Sequence, residues 1–363
     1  MKITIIAGAR PNFIKIAPLI NSLKTIGKNV IQFRLVHTGQ HYDKRLSDTF
    51  FEELNIPTPD INLGVGSGSQ AAQTAHIMIK FEEELMHHPT DYVVVVGDVN
   101  STLACSVVAK KMNTGLIHIE AGIRSFDLTM PEEINRLVTD ALADYFFTTS
   151  EFANRNLLKA GIEKKKIFFV GNIMIDSLKQ NRHKFSKPLL WKQIKLESKK
   201  FWILTLHRPS NVDDTKNLIQ TLKVIDDHCG DKKVIFPIHP RTEAKLKDSN
   251  VLFRNIVKIH PLGYLNFMYL VENCIGVITD SGGIQEETTV MKIPCITLRR
   301  NTERPETIEM GSNVLAKDLS ALPKKMYLVL NNSWKKSNIP PKWDGKTADR
   351  IVNILITKLT KKK

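Results

Sequence analysis

No apolar run in the chain approaches the ~18 residues that a membrane span needs. A secretory leader is not expected from the first residues either. Met1-Lys2-Ile3-Thr4-Ile5-Ile6 has neither the length nor the small-residue cleavage site, and it reads as a strand. Cysteine is scarce: Cys105, Cys229, Cys274 and Cys295 lie far apart with no CxxC, so neither a disulfide framework nor a zinc site is expected. Acidic residues are outnumbered, 37 Asp and Glu against 52 Lys and Arg, for a net charge of +15. That balance favours anionic partners, among them nucleic acid, a membrane surface or phosphorylated substrates. The runs Lys164-Lys165-Lys166, Lys199-Lys200 and Lys361-Lys362-Lys363 carry much of the excess, and read foremost as solvated surface. With 42% hydrophobic and 25% charged residues, the composition excludes disordered, collagen-like and coiled-coil chains. The expected compartment is the cytoplasm, and 363 residues suggest two domains.

What is present is an alternation of short apolar runs with helical stretches. Lys2–Ala7, Phe33–Thr38, Tyr92–Val96, Leu116–Ile119, Tyr145–Thr148 and Lys166–Val170 read as strands. Asn12–Lys24, Ser101–Met112 and Glu132–Ala143 read as helices between them. Unbroken runs such as Tyr92-Val93-Val94-Val95-Val96 suit parallel strands buried on both faces. After Gly171-Asn172 a lysine-rich stretch intervenes to about Lys200, and then the rhythm restarts. Phe201–Leu206, Lys233–Ile238, Gly276–Thr279 and Pro294–Leu298 are expected strands, and Lys216–His228 a helix. The pattern predicts an α/β chain of two Rossmann-like domains facing a cleft, residues 1–170 and 171–345, with a terminal segment 346–363 containing a helix over Asp349–Thr360. No sequence repeat is visible.

Ligands of such sheets sit at the carboxyl ends of strands. The first strand ends in Gly8-Ala9-Arg10-Pro11, with Lys15 a turn into the helix, and the two cations can reach an anion over the sheet edge. This is not GxGxxG, so a dinucleotide fingerprint is absent here. Gly64-Val65-Gly66-Ser67-Gly68-Ser69 has no clear strand before it and reads as a loop. Gly97-Asp98 ends another strand, and Asp98 is open to two readings, helix cap or reactive acid. Glu120 directly follows an apolar run, where a carboxylate is costly to bury without a partner. Pro131-Glu132-Glu133 opens a helix, and one of its two acids is expected to be structural. Asp98, Glu120 and Glu132 together suit general acid–base chemistry. In the second half, His207-Arg208 and His239-Pro240-Arg241 follow strands and suit phosphate. Ser281-Gly282-Gly283 between strand and helix exposes backbone N–H groups, a site fitting a pyrophosphate, and Glu287 further along can accept from ribose hydroxyls.

These motifs in series resemble the non-hydrolysing UDP-N-acetylglucosamine 2-epimerases: GARPNFIK, TGQHYD, GDVNST, HIEAG, MPEEINR, LHRPSN, HPRT, TDSGGIQEE, NTERPE and WDGKTADRI, over nearly the whole chain. The resemblance implies a glycosyltransferase-B-like pair of domains, with the last helix returning to the first domain. It implies a UDP-sugar substrate, no cofactor and no metal, and a homodimer. The implied reaction is reversible 2-epimerisation of UDP-N-acetylglucosamine to UDP-N-acetylmannosamine, a precursor of surface polysaccharide. UDP is eliminated across C1–C2 to 2-acetamidoglucal and then re-added.

By this resemblance Asp98, Glu120, Glu132 and His207 are catalytic. Arg10, Lys15, Arg136, Arg208, His239, Phe267, Ser281, Gly282, Gly283, Glu287 and Arg304 bind the substrate or its UDP. Gln40, His41 and Gln70 match the remnant of a second substrate site whose two arginines are here Tyr42 and Ser69. Rival readings are a 2-epimerase for a related UDP-2-acetamido sugar, a hydrolysing epimerase, a glycosyltransferase of the same fold, and a nucleic-acid binder suggested by charge alone. The carboxylate set argues against the transferase, and no recognition helix or stacking platform supports nucleic acid.

Overall fold

The computed structural model describes residues 1–40, 53–54, 56–238, 240–247 and 251–360, with the backbone only for Arg10, Pro11, Pro240, Arg241 and Lys247. The chain divides into two compact units, Met1–Gln180 with Pro341–Lys363, and Asn181–Pro340.

The first unit holds a parallel sheet of β1 (Lys2–Ala7), β2 (Gln32–His37), β3 (Ile61–Asn62), β4 (Tyr92–Val96), β5 (Gly115–Ile119), β6 (Tyr145–Thr148) and β7 (Ile167–Phe169). Their spatial order is β3-β2-β1-β4-β5-β6-β7. The order reverses between β1 and β4, where Ile5 pairs with Val94, and that reversal opens a crevice at the carboxyl ends. β-branched residues fill the central strands because both sheet faces are covered: Val93 and Val95 pack with Ile6, Val36, Ile77 and Phe81. Three elements of this unit differ from the sequence expectation. A strand of only two residues, Ile61–Asn62, precedes the glycine-rich loop, too short to leave an apolar signature. After the loop, Ser69 caps the helix Gln70–His87 by accepting from the Ala72 N–H at 3.2 Å. The run Lys164–Lys166 is a 3₁₀ turn, so β7 begins after it.

The terminal helix Thr347–Ile354 packs on the helix Arg10–Thr25, where Ser22 Oγ donates to Asp349 Oδ1 at 2.8 Å. Its first turn is held by Asp176, which accepts the Ala348 N–H at 2.7 Å. Just before it, buried Trp343 donates its indole N–H to the Thr149 carbonyl at 3.0 Å.

The second unit repeats the plan. β8 (Phe201–Thr205), β9 (Lys233–Pro237), β10 (Ile256–Ile259), β11 (Gly276–Thr279), β12 (Cys295–Thr297) and β13 (Asn313–Leu315) form a parallel sheet ordered β10-β9-β8-β11-β12-β13. Here the reversal lies between β8 and β11. Trp202, Leu204, Val234, Phe236 and Ile278 form its core with Leu218 and Leu222 of the helix Thr215–His228. The four cysteines are all free and buried. Among the described residues no helix is long and apolar enough to cross a membrane.

Candidate active site

In the first unit, three strand ends and one helix start bring the acids together. Gly97 closes β4 in the left-handed region, φ 72°, which a glycine adopts without the Cβ penalty. A Cβ there would lie 3.3 Å from Lys15 Nζ and 3.5 Å from Glu120 Oε2, so these two side chains sit against the turn that delivers Asp98. Lys15 and Glu120 form a 2.5 Å ion pair with both side chains nearly excluded from solvent. Glu120 takes φ 70°, an uncommon value for a residue with a side chain, and its N–H donates to the Phe147 carbonyl at 2.9 Å. Backbone strain of this kind clusters at functional sites. Asp98 does not cap the following helix; Val99 holds that position. Instead the Asp98 carboxylate receives the fork of Arg136, Nε at 3.0 Å and Nη2 at 2.7 Å. A fork of this kind fixes the position of the carboxylate.

The helix Pro131–Leu142 separates its two leading acids by role. Glu133 is buried, pairs with Arg136 Nη1 at 2.5 Å, and accepts from the Ser125 N–H, the Ser125 hydroxyl and the Phe126 N–H. It is the structural member of the pair, clamping the loop before the helix. Glu132 is half-buried, and among the described residues it makes no hydrogen bond or ion pair. Of the three candidate acids it is the one not already committed to a cation.

The second unit gathers a different set. Asp280, directly after β11 and fully buried, accepts from the His207 N–H at 3.1 Å, the Arg208 N–H at 3.0 Å and Asn211 Nδ2 at 2.9 Å. Its Oδ1 also takes the His207 Nδ1–H at 2.9 Å. Burial pushes the Asp280 carboxyl up, but the hydrogen bond and charge of His207, with Asn211 and the Arg208 backbone, outweigh it and hold it below the usual range. The contact fixes the His207 tautomer and leaves Nε2 on a side chain that is 58% exposed.

Beside it, the Ser281 N–H donates to Thr279 Oγ1, and the helix Gly282–Met291 starts with no side-chain cap. Its first amides are therefore available to an anion. A Cβ at Gly282 would lie 2.7 Å from Glu303 Oε1, so a larger residue there would displace that carboxylate. Glu303 pairs with Arg299 at 2.6 Å and lies 3.7 Å from Arg208 Nη2, while Arg304 pairs with buried Glu286. Glu287 is buried and accepts from Tyr264 Oη at 2.9 Å. Burial, with the charge of Glu286, pushes its carboxyl up to about 8 against the opposing Tyr264 hydrogen bond. Phe267 is half-buried on the same helix as Tyr264.

Lys15, Asp98, Glu120 and Arg136 thus converge in one unit, with Glu132 on the helix of Arg136. His207, Arg208, Ser281, Gly282 and Gly283 converge in the other. Arg10 opens its helix at the backbone, and His41 and His239 lie outside the described residues. Gln40 is engaged internally, accepting from Ser101 N and Oγ, and Gln70 accepts from Asn100 Nδ2 at 2.7 Å. Sequence reasoning missed Asn12, His118, Asp140 and Asp280, which hold the strand ends in place. Asn12 accepts from the Gly8 and Ala9 N–H groups and donates to the Val96 carbonyl, joining β1 to β4. Asn12, His118 and Asp280 did carry a signal, as polar residues inside the motifs at strand ends; Asp140, in mid-helix, carried none. Among the described residues no group of three or more His, Cys, Asp or Glu is placed to hold a metal ion.

Comparison with known proteins agrees over the full length. A family profile described as UDP-N-acetylglucosamine 2-epimerase matches residues 24–356. A UDP-N-acetylglucosamine 2-epimerase of Methanocaldococcus jannaschii is 43% identical over 98% of this chain and 99% of its own. The crystal structure of the M. jannaschii UDP-GlcNAc 2-epimerase in complex with UDP-GlcNAc and UDP superposes with a TM-score of 0.87 at 43% identity, covering 98% of this chain and 99% of that one. A Pseudomonas aeruginosa UDP-2,3-diacetamido-2,3-dideoxy-D-glucuronate 2-epimerase is 38% identical over 87% of this chain and 88% of its own. Two parallel-sheet α/β units, matched from end to end by these proteins, establish that the chain belongs to the UDP-N-acetylglucosamine 2-epimerase family.

Proposed function

We propose that the protein interconverts UDP-N-acetylglucosamine and UDP-N-acetylmannosamine, an isomerase step that needs no added nicotinamide cofactor or metal. The supporting observation is the division of labour between the units. One presents Asp98, Glu120 and Glu132, the first two paired with Arg136 and Lys15, and the other presents His207, Arg208 and an uncapped helix N-terminus suited to a diphosphate. The sugar's C2 proton lies beside no carbonyl, so simple deprotonation is costly. Elimination solves this: a base takes the C2 proton, the C1–O bond breaks, UDP leaves with the electron pair, and 2-acetamidoglucal forms. Protonation at C2 from the other face and return of UDP to C1 give the epimer. Acids on both sides of the sugar are needed, and Glu132 is the candidate proton carrier because its carboxylate, unlike those of Asp98 and Glu120, is not paired with a cation among the described residues. His207 Nε2 and the Gly282 and Gly283 amides hold the departing diphosphate. Glu287 takes the ribose hydroxyls, with Phe267 near the base. The cytoplasm and a role in surface-polysaccharide supply belong to the same reading.

The test is incubation with UDP-N-acetylglucosamine in heavy water, followed by NMR. Deuterium at C2 of both UDP-sugars is expected. Activity only after NAD addition, without deuterium uptake, overturns the mechanism, and free N-acetylmannosamine with UDP marks a hydrolysing enzyme. The P. aeruginosa relative supports a second reading, a UDP-2,3-diacetamido uronic acid as substrate. Assaying both sugars side by side separates the two. A homodimer completes the proposal: Phe126, Leu128, Ile134 and Leu137 are exposed large apolar side chains on and before one helix, candidates for cover by a second copy. Sedimentation at micromolar concentration reads this, and a monomer would remove it.

A further inference from the structure

His118 is the only ionisable residue of β5, and it is buried. Its Nδ1–H donates to Asp140 Oδ1 at 2.7 Å and its Nε2–H to the Gly97 carbonyl at 2.9 Å. A backbone carbonyl can only accept. Asp140 is kept ionised because the charges and hydrogen bonds of His118 and Arg124 outweigh its burial, which alone would push it up. Both ring nitrogens therefore serve as donors. Asp140 Oδ2 in turn accepts the Gly122 N–H at 3.0 Å and pairs with Arg124 Nη1 at 2.6 Å.

This chain of contacts spans two turns. Gly97 belongs to the peptide that carries Asp98, and its own N–H donates to the Ile119 carbonyl at 3.0 Å. Glu120 lies between His118 and Gly122. Gly97, Glu120 and Gly122 all take positive φ, at 72°, 70° and 78°. The two glycines adopt such a φ without cost, but that of Glu120 persists only where the surroundings over-determine it. From the helix Arg10–Thr25, Lys15 holds the Glu120 carboxylate, and from the helix Pro131–Leu142, Arg136 holds that of Asp98. Nothing in those two pairs fixes one turn relative to the other; the Gly97 N–H to Ile119 carbonyl bond and the His118–Asp140 bridge do.

We propose that His118 is a positioning residue for the epimerisation. With Asp140 it locks the Gly97–Asp98 peptide against the Glu120–Gly122 turn and so sets the spacing of the two acids. It touches no substrate. The inference rests on the functional reading above and adds to it a residue that acts through the backbone.

Two substitutions divide the bridge. His118→Gln keeps a donor near the Nε2 position, aimed at Gly97. His118→Asn keeps one near the Nδ1 position, aimed at Asp140, and releases Gly97. With UDP-N-acetylglucosamine as substrate, H118N should lower kcat by roughly 10- to 100-fold, the scale for catalytic groups misplaced by about an ångström, with KM and UDP affinity within about threefold. H118Q should keep kcat within about fivefold of wild type by the same reasoning, and melting temperatures are read for both. Equal kcat for the two variants, or losses that follow melting temperature in both, overturn the proposal. If H118N does not fold, Asp140→Asn replaces it. That change leaves an oxygen for Nδ1–H but loosens Gly122, and an unaltered kcat in it is again contrary. A wild-type enzyme that makes no epimer and takes up no deuterium overturns the functional reading and this inference together. An active wild type with equivalent variants overturns this inference alone.

Discussion

At the same place in each sheet an aspartate follows the fourth strand, and the two are used in opposite ways. Asp98 after β4 stays partly exposed and is gripped by Arg136 from one side. Asp280 after β11 is fully buried and spends its oxygens on His207, Arg208 and Asn211. The first keeps one side open, as the proposed reaction requires; the second holds another residue in place. A matching asparagine stands in the first helix after the first strand of each sheet. Asn12 donates to the Val96 carbonyl of β4, and Asn211 donates to Asp280 after β11, so each ties its first strand to its fourth. Topology fixes where the crevice lies in each sheet, and burial separates the two aspartates: one stays partly open, the other is enclosed by the residues it holds.

The comparison breaks most sharply if the three candidate acids of the first unit are neutralised. Asp98→Asn, Glu120→Gln and Glu132→Gln should each lower kcat by at least about 100-fold, the usual scale for a lost acid–base group. UDP affinity, measured by calorimetry, should stay near wild type, because these residues lie in the other unit from the helix-start anion site. Near-normal turnover in three folded variants removes the assignment. Glu133→Gln is the control: it loosens the Ser125–Phe126 loop, so its effect should appear in melting temperature as well as rate.

The buried aspartate gives the next largest effect. Asp280→Asn leaves volume unchanged but can turn an N–H toward His207, which favours the wrong tautomer. We expect a fall in kcat of about 10- to 100-fold by analogy with other orienting groups, together with weaker UDP binding. His207→Ala should lose UDP affinity as well as rate. Normal affinity and turnover in both would show that Asp280 only packs the strand end.

Much of this was legible in the sequence. Buried parallel strands announce themselves as apolar runs, and of the thirteen strands named here only β3, β10 and β13 were not expected. Those are edge strands, two to four residues long, where no run can form. Acids after strands were legible too, since a carboxylate there needs a reason. Which acid is structural was not. Glu132 and Glu133 are neighbours with identical chemistry, and only the helical phase buries one of them. His118 read as one more strand residue, because its two partners, Gly97 and Asp140, lie 21 and 22 positions away.

Glu287 sharpens the contrast through pH. Its carboxyl is pushed up to about 8 by burial, so at pH 7 the free unit holds it mostly protonated. A ribose diol donates two hydroxyls and prefers the ionised form, so binding should expel a proton. Affinity for UDP should rise on going from pH 7 to pH 9 by about tenfold, the reciprocal of the competent fraction. Glu287→Gln should bind weakly with a flat profile. A wild-type profile equally flat would place the ribose elsewhere.

The smallest effect concerns an acid away from the strand ends, and it checks whether burial alone distinguishes working acids from structural ones. Asp176 caps the terminal helix and is pushed up to about 6 from 3.8, chiefly by burial, against the hydrogen bonds of Ala348 and Thr347. A folded-state value above the unfolded one means that the native protein binds more protons between them. Stability is therefore fully present below about pH 4 and lost as pH rises through 6, by about 3 kcal/mol at most. Asp176→Asn cannot ionise and can still accept the Ala348 N–H. Its melting temperature should fall less than that of wild type between pH 4 and pH 7, and at pH 7.5 the variant should melt at or above wild type with kcat unchanged. A variant that melts several degrees lower at pH 7.5 would mean that the ionised carboxylate stabilises the cap, and the burial argument for Asp176 would fail.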